Sequence, residues 1–150
     1  MSVIDVLRHE QQQCNKKISD IQGKIRKVEN DYDSLLLFKR QVQKSQDEVE
    51  ALNTAKKGIL KDVARVKTNS KVAQGYYNGM KDMLSGIGTK MIPLAFIALL
   101  ASIDLQLRSY QQKVADYEDD IDKYERKIND LDKKITIAEA VGDAIDVLDI

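Results

Sequence analysis

Tryptophan is absent from the 150 residues, proline and cysteine occur once each, and aromatic residues make up only 5%. A chain with so few strand and turn formers and so many helix formers favours helix. The low aromatic content, with 32% charged residues, argues against a thick globular core. Disorder is the competing interpretation, but 43% apolar residues placed periodically disfavour it. The composition therefore predicts long helices that bury a narrow seam.

Single copies of cysteine (Cys14) and histidine (His9) limit the chemistry. One cysteine forms no disulfide within the chain, and one His with one Cys assembles no metal cluster. A Cys–His nucleophile pair needs a rigid, partly buried pocket, which a terminal helix does not make. The segment "GIGTK" has neither the residue order nor the preceding strand of a phosphate-binding loop. We therefore expect no enzymatic activity, no metal and no cofactor.

No basic and apolar leader is visible at the N-terminus, so a signal peptide is not expected. The most apolar run, Met91 to Ile103, contains a proline and has 13 residues, fewer than the ~18–20 that a spanning helix needs. We expect this run to be the best-buried part of a soluble helix and the protein to be cytoplasmic. Membrane insertion by the run is the alternative.

Formal net charge is zero, but the two halves differ. Residues 1–72 carry 15 Lys/Arg against 10 Asp/Glu, whereas residues 73–150 carry 9 against 14. A protein that seeks nucleic acid would not cancel its charge in this way. Two halves of opposite sign that fold onto each other would explain the balance.

The second half has the clearest periodicity. Apolar residues or tyrosines alternate at spacings of three and four without a miss, which is the pattern of a coiled-coil seam. They are Leu100, Ile103, Leu107, Tyr110, Val114, Tyr117, Ile121, Tyr124, Ile128, Leu131, Ile135 and Ala138. The tyrosines are amphipathic, so they suit a seam whose edge meets water or a partner.

The first half repeats the pattern less cleanly. The same spacing holds at Ile18, Ile21, Ile25, Val28, Tyr32 and Leu35, and it then meets Lys39 and Gln46. Apolar spacing resumes at Val49, Leu52, Ile59, Val63 and Val66, which predicts a shift of register near residues 45–55. At the start, Ser2 followed by Asp5 is typical of a weakly signalled helix cap.

Four of the seven glycines lie in residues 75–88. Glycine inside a helix costs about 1 kcal/mol relative to Ala, so Gly75 and Gly79 are expected to end the first helix. Pro93 suits the first turn of the next helix, with Thr89 as its cap. The prediction is one all-α domain over residues 1–150, a long antiparallel two-helix hairpin. Arm one covers about 3–73, a Gly-rich connector about 74–90, and arm two about 91–148.

Two sets of residues are candidates for a partner interface. Leu35, Leu36, Leu37 and Phe38 are consecutive, so they cannot all face one seam. The second candidate is the edge formed by Tyr110, Tyr117 and Tyr124. Exposed apolar stripes mark interfaces, so both sets predict a helical protein partner or a second copy of the chain.

Two helices joined near the midpoint by Tyr77-Asn78-Gly79 resemble the WXG-type (ESX-like) hairpin proteins of bacterial type VII secretion, with tyrosine in place of the family's Trp. In size the chain is closer to the α-helical accessory proteins of LXG-type toxins. That resemblance implies an adaptor that binds the toxin's helical N-terminal domain and helps target it for secretion. The family's export signal, Tyr-x-x-x-Asp/Glu, is missing here, which favours a targeting partner, with co-secretion as an alternative.

Other functions remain open at this point. A self-associating structural coiled coil would form a homo-oligomer without a partner. A holdase chaperone resembling prefoldin would carry strands between its helical arms, which the glycine-rich centre disfavours.

Overall fold

The computed structural model describes residues 2–66 and 71–148, and within these the side-chain exposure at positions 63, 66, 73, 87, 88 and 143–148 is outside the described part. The described residues form three helices: α1 (Val3–Val66), α2 (Lys71–Ser85) and α3 (Ile87–Leu148). No strand occurs in the described ranges. The all-α prediction is confirmed.

The chain divides into two compact units. The terminal unit combines Met1–Tyr32 with Ser109–Ile150, and the central unit is Asp33–Arg108. Each unit therefore draws on both long helices.

A reciprocal cap starts α1. The backbone N–H of Asp5 donates to Ser2 Oγ at 3.1 Å, and the backbone N–H of Ser2 donates to Asp5 Oδ2 at 3.3 Å. The pair satisfies backbone donors that have no partner within the first turn, and the carboxylate lies at the positive end of the helix dipole. The predicted Ser2–Asp5 cap is confirmed.

In the terminal unit, contacts between the two helical segments run in opposite order. Gln11 Nε2 donates to Asp132 Oδ1, and Gln111 Nε2 donates to Tyr32 Oη at 3.4 Å. From Gln11 to Tyr32 the chain advances 21 residues, and from Asp132 to Gln111 it goes back 21. Within this unit the segments therefore run antiparallel in one constant register.

The predicted seam of α3 is confirmed, because each of its twelve positions from Leu100 to Ala138 is buried or half-buried. The seam predicted on α1 from Ile18 to Leu35 is also half-buried, and the structure extends it back to the start of the helix. The added residues are Ile4, Leu7, Gln11 and Cys14. The best-buried apolar side chains in the described part all lie on these two seams: Cys14, Val42, Ile103, Leu107, Leu131 and Ile135.

The predicted register shift near residues 45–55 is wrong. The less exposed positions of α1 keep their spacing of three and four from Leu35 through Lys39, Val42, Gln46, Val49, Asn53 and Lys56 to Leu60. Leu52 and Ile59, which were expected on the seam, are about half exposed. Val63 and Val66 lie outside the described side chains. Polar residues therefore occupy four of the seven α1 seam positions from Lys39 to Leu60, and Val42, Val49 and Leu60 occupy the other three.

An ion pair shows how one polar seam residue is accommodated. Lys39 Nζ lies 2.7 Å from Asp104 Oδ1 on α3, and three-quarters of the lysine side chain is buried. The long aliphatic stem fills the seam while the ammonium reaches a carboxylate at its edge. Lys39 can therefore occupy a seam position although its side chain is charged.

The glycines of the predicted connector do not form a turn. Helix α2 runs from Lys71 to Ser85 through Gly75 and Gly79, and no glycine in the described part has positive φ. The helical hydrogen bonds of the neighbouring residues outweigh the low propensity of glycine, which is a weak determinant when packing favours helix. Within residues 71–148 the helix is interrupted instead at Gly86, where the backbone bends between α2 and α3.

Thr89 and Pro93 also differ from expectation. Helix α3 begins at Ile87, so Pro93 is its seventh residue and lies beyond the first turn. Thr89 does not cap α3; its Oγ1 donates to the carbonyl oxygen of Met83 at 3.0 Å. Ser85 Oγ likewise donates to the carbonyl of Lys81 at 2.7 Å. The Thr89 hydroxyl thus satisfies a carbonyl left open where α2 ends, whereas the Ser85 hydroxyl adds a bond within the last turn of α2.

Candidate partner-binding surface

The four-residue apolar run on α1 divides between the seam and the surface. Leu35 and Leu36 are half-buried, whereas Leu37 and Phe38 are exposed. All four belong to the central unit. Leu37 and Phe38 are therefore the pair that remains available for a partner.

Tyr110, Tyr117 and Tyr124 are half-buried on the seam of the terminal unit. Lys17 Nζ lies 5.3 Å from the centroid of the Tyr124 ring, within the range of a cation–π contact. Lys113 Nζ lies 5.9 Å from the Tyr110 centroid. The rings thus cover the seam and carry lysines on their faces.

Two of these tyrosines line an open groove of about 650 Å³ in the terminal unit. Its other lining residues are mostly charged: Lys17, Asp20, Ile21, Lys24, Asp120, Lys123 and Lys127. A groove bordered by solvent-exposed side chains of both charge signs is better suited to ion pairs than to the docking of an apolar helix. Around Tyr117 and Tyr124 the tyrosine edge is therefore bordered mainly by charged side chains.

Tyr77 and Gly79, the residues that carry the WXG-type resemblance, both lie within α2. Tyr77 is half-buried on the same face as Met80 and Leu84, whereas the neighbouring Tyr76 is exposed. A Cβ placed on Gly79 would meet nothing within 4 Å. Tyr77 is therefore partly packed, whereas no neighbouring atom lies close enough to Gly79 to require a glycine there.

Exposed apolar side chains are concentrated in the central unit. Among the described side chains it holds thirteen of the exposed large hydrophobic residues, and the terminal unit holds four. Those of the central unit are Leu37, Phe38, Leu52, Ile59, Val72, Tyr76, Met83, Met91, Ile92, Leu94, Ile97, Leu99 and Leu105. An apolar surface of this extent is a candidate interface.

Part of this surface has a heptad pattern that the sequence reasoning missed. Phe38, Leu52 and Ile59 each immediately precede a seam residue of α1, and Ile92 and Leu99 are seven apart on α3. These five side chains, named here the flanking stripe, are between 41 and 55% exposed. The sequence signal was present, but Leu52 and Ile59 were assigned to the seam itself.

The apolar run of α3 is more exposed than predicted. Only Phe96, Leu100 and Ile103 between residues 91 and 103 are less than exposed, so the expectation that this run is the best-buried part of a helix is wrong. The helical stretch Gln74–Gly142 contains an 18-residue window with a mean hydropathy of 1.8, of which 6% is buried. By length and composition alone this stretch is apolar enough to cross a membrane.

The one histidine and the one cysteine differ in exposure. His9 is exposed, whereas the Cys14 thiol is buried on the seam. No group of three or more His, Cys, Asp or Glu side chains in the described part is placed to hold a metal ion. The surface offers packing and ion pairing.

No protein-family model matches the chain, and neither does any curated protein or solved structure.

Proposed function

We propose that this chain is a non-enzymatic adaptor, an antiparallel helical hairpin that binds the helical N-terminal domain of an LXG-type toxin and helps deliver it to the type VII secretion apparatus. The resemblance of Tyr77-Asn78-Gly79 and of the chain's size to the LXG-associated accessory proteins supplies the class of partner. The observation that supports binding is the flanking stripe, whose apolar side chains are half exposed.

Apolar flanking positions are characteristic of helices that pack in bundles of more than two. In two-stranded coiled coils the positions beside the seam are usually charged, because they border water. In the terminal unit they are charged, as at Lys17, Lys24 and Lys127. In the central unit the flanking stripe is apolar and half exposed. A third helix would bury it.

The flanking stripe lies on one side of the proposed hairpin. In an antiparallel pair, equivalent flanking positions of the two helices border the same side of the seam. From residue 43 onward, the positions on the other side of the α1 seam are Gln43, Glu50 and Lys57. From residue 43 onward, one flank of the α1 seam is therefore apolar at Leu52 and Ile59 and the other is polar, so an amphipathic partner helix would dock on the apolar flank.

The test is co-purification of the chain with the recombinant helical N-terminal domain of an LXG-type toxin encoded beside its gene, followed by size-exclusion chromatography with light scattering. We expect a stable hetero-oligomer. The double variant Phe38→Glu/Leu52→Glu should lose it, because each glutamate places a charge in a desolvated interface. Ile137→Glu is the control, since Ile137 is also an exposed apolar residue but lies in the terminal unit.

Absence of any co-purifying LXG-type domain would refute the proposed partner. Equal loss of binding in the Ile137→Glu control would refute the flanking stripe as the docking site. Circular dichroism of each variant checks that its helix content is unchanged.

A further inference from the structure

The outward face of α3 in the central unit carries a second apolar stripe. Its residues repeat at spacings of three and four, which is the pattern of a helix–helix seam. They are Met91, Leu94, Ala98, Ala101 and Leu105, all exposed. The residues of the α3 seam, Phe96, Leu100 and Ile103, lie on the other side of the helix. This outward stripe contains no charge and is separate from the flanking stripe.

An outward stripe of this kind needs a cover. The three large side chains are 60–65% exposed, and a helix that is apolar around most of its circumference is normally enclosed by protein or lipid. Neither α1 nor α2 covers these residues. The described part of the chain therefore leaves the outward stripe without a cover.

A bilayer is the less favourable cover while the central unit is intact. The Lys39–Asp104 ion pair places α1 beside this part of α3. Five charged residues of α1 follow Lys39 within the next eleven positions: Arg40, Lys44, Asp47, Glu48 and Glu50. Insertion would carry these charged residues into the hydrocarbon, which strongly disfavours charged side chains. A protein surface carries no such cost.

We propose that the outward stripe binds the same stripe of a second copy of this chain, with the two α3 helices antiparallel. In that register Leu94 lies opposite Ala98 of the second copy, and Met91 lies opposite Ala101. Each of these two layers, which the two-fold symmetry repeats, joins a large side chain to a small one and lets the helices approach closely. Leu105 lies beyond them, at the end of the stripe.

Charge complementarity supports the same register. When Leu94 faces Ala98 of the second copy, Lys90 at one end of the stripe faces Asp104 of the second copy at the other. Two-fold symmetry produces this pair twice and places Ile97 against its own counterpart near the axis. A surface that complements itself in both size and charge is what an isologous dimer requires.

Cysteine cross-linking of the purified chain, with no partner present, tests the contact and its register. Ile97→Cys should give a covalent dimer with a short bis-maleimide, because the two copies of residue 97 adjoin the axis. Leu105→Cys should give none, since its counterpart lies roughly 27 Å further along at 1.5 Å per residue. The unmodified chain is the blank, because its one thiol, Cys14, is buried.

Sedimentation velocity over a wide concentration range supplies the second measurement. We expect a concentration-dependent dimer that Ala98→Glu/Ala101→Glu abolishes. The control Ala115→Glu/Ala140→Glu should retain it, because these alanines are also exposed on α3 but lie in the terminal unit.

Three results would overturn the proposal. A chain that stays monomeric at every concentration has no such interface, and cross-linking of both cysteine variants would indicate a parallel pair. Co-sedimentation of a monomer with phosphatidylcholine–phosphatidylglycerol vesicles would make lipid the cover. None of these measurements involves the toxin domain, so they fail or succeed independently of the adaptor function. Phe38→Glu/Leu52→Glu, which tests that function, should leave the dimer intact.

Discussion

Replacing Gly75 and Gly79 by alanine tests whether the centre of the chain forms a helix or a turn. Both glycines lie inside α2, neither has positive φ, and a Cβ at either position would meet nothing within 4 Å. Alanine therefore fits both positions without strain or overlap. It also removes backbone freedom that glycine has in the unfolded chain.

The expected gain follows from helix propensity. Alanine is favoured over glycine by about 1 kcal/mol in a helix interior, so the double variant should gain about 2 kcal/mol if the two sites add. For a protein of this size, 1 kcal/mol corresponds to roughly 2–4 °C in Tm, which gives a rise of about 4–8 °C. Thermal unfolding followed by circular dichroism at 222 nm measures it.

Gly23→Ala is the matched control, because Gly23 lies within α1 and its surroundings are equally open. It should raise Tm by about half as much as the double variant. A fall in Tm for Gly75→Ala/Gly79→Ala, with a rise for Gly23→Ala, would refute the helical assignment of α2. It would restore the turn that the glycines indicate from sequence, where alanine in a left-handed conformation costs about 1 kcal/mol or more.

Three further predictions concern stability and access. Ser2→Ala should destabilise the protein by about 1 kcal/mol in urea unfolding, because it removes the hydroxyl that caps α1; an unchanged midpoint would mean that the cap contributes nothing. Leu131→Ala should cost about 2–4 kcal/mol, whereas Leu105→Ala in the monomer should cost well under half of that, since Leu131 is 3% and Leu105 65% exposed; equal losses would contradict the assigned seam. The buried Cys14 thiol should react with Ellman's reagent much more slowly in the native protein than in urea, and fast native labelling would contradict its burial.

The seam of α3 could be predicted from sequence because one seam position is aliphatic in every heptad. The residues are Leu100, Leu107, Val114, Ile121, Ile128 and Ile135. The seam of α1 could not be followed through the central unit in the same way. Lys39, Gln46 and Asn53 give no apolar signal, while Leu52 and Ile59 give a false one from the flanking position. Sequence periodicity detects a seam only where its residues are apolar. The geometry of the helix, in contrast, turns the same positions toward the seam whichever side chains they carry.

The remaining differences arise where local preference and tertiary context disagree. Gly75 and Gly79 have low helix propensity, yet the hydrogen bonds of α2 continue through them. The hydropathy of Met91 to Ile103 predicts burial, but within the described structure only Phe96, Leu100 and Ile103 of this run are not exposed. The sequence therefore identifies the apolar residues of the candidate surface. It does not show that they are exposed, because exposure depends on how the helices pack.

The polar seam of the central unit has a consequence for amide hydrogen exchange. Lys39, Gln46, Asn53 and Lys56 bury less apolar area than the isoleucines and leucines on the seam of the terminal unit, so local opening there costs less free energy. Backbone amides of residues 39–60 should therefore exchange with deuterium sooner than those of residues 11–32 on the same helix. A bound helix that covers the flanking stripe would slow exchange in the first group and leave the second unchanged.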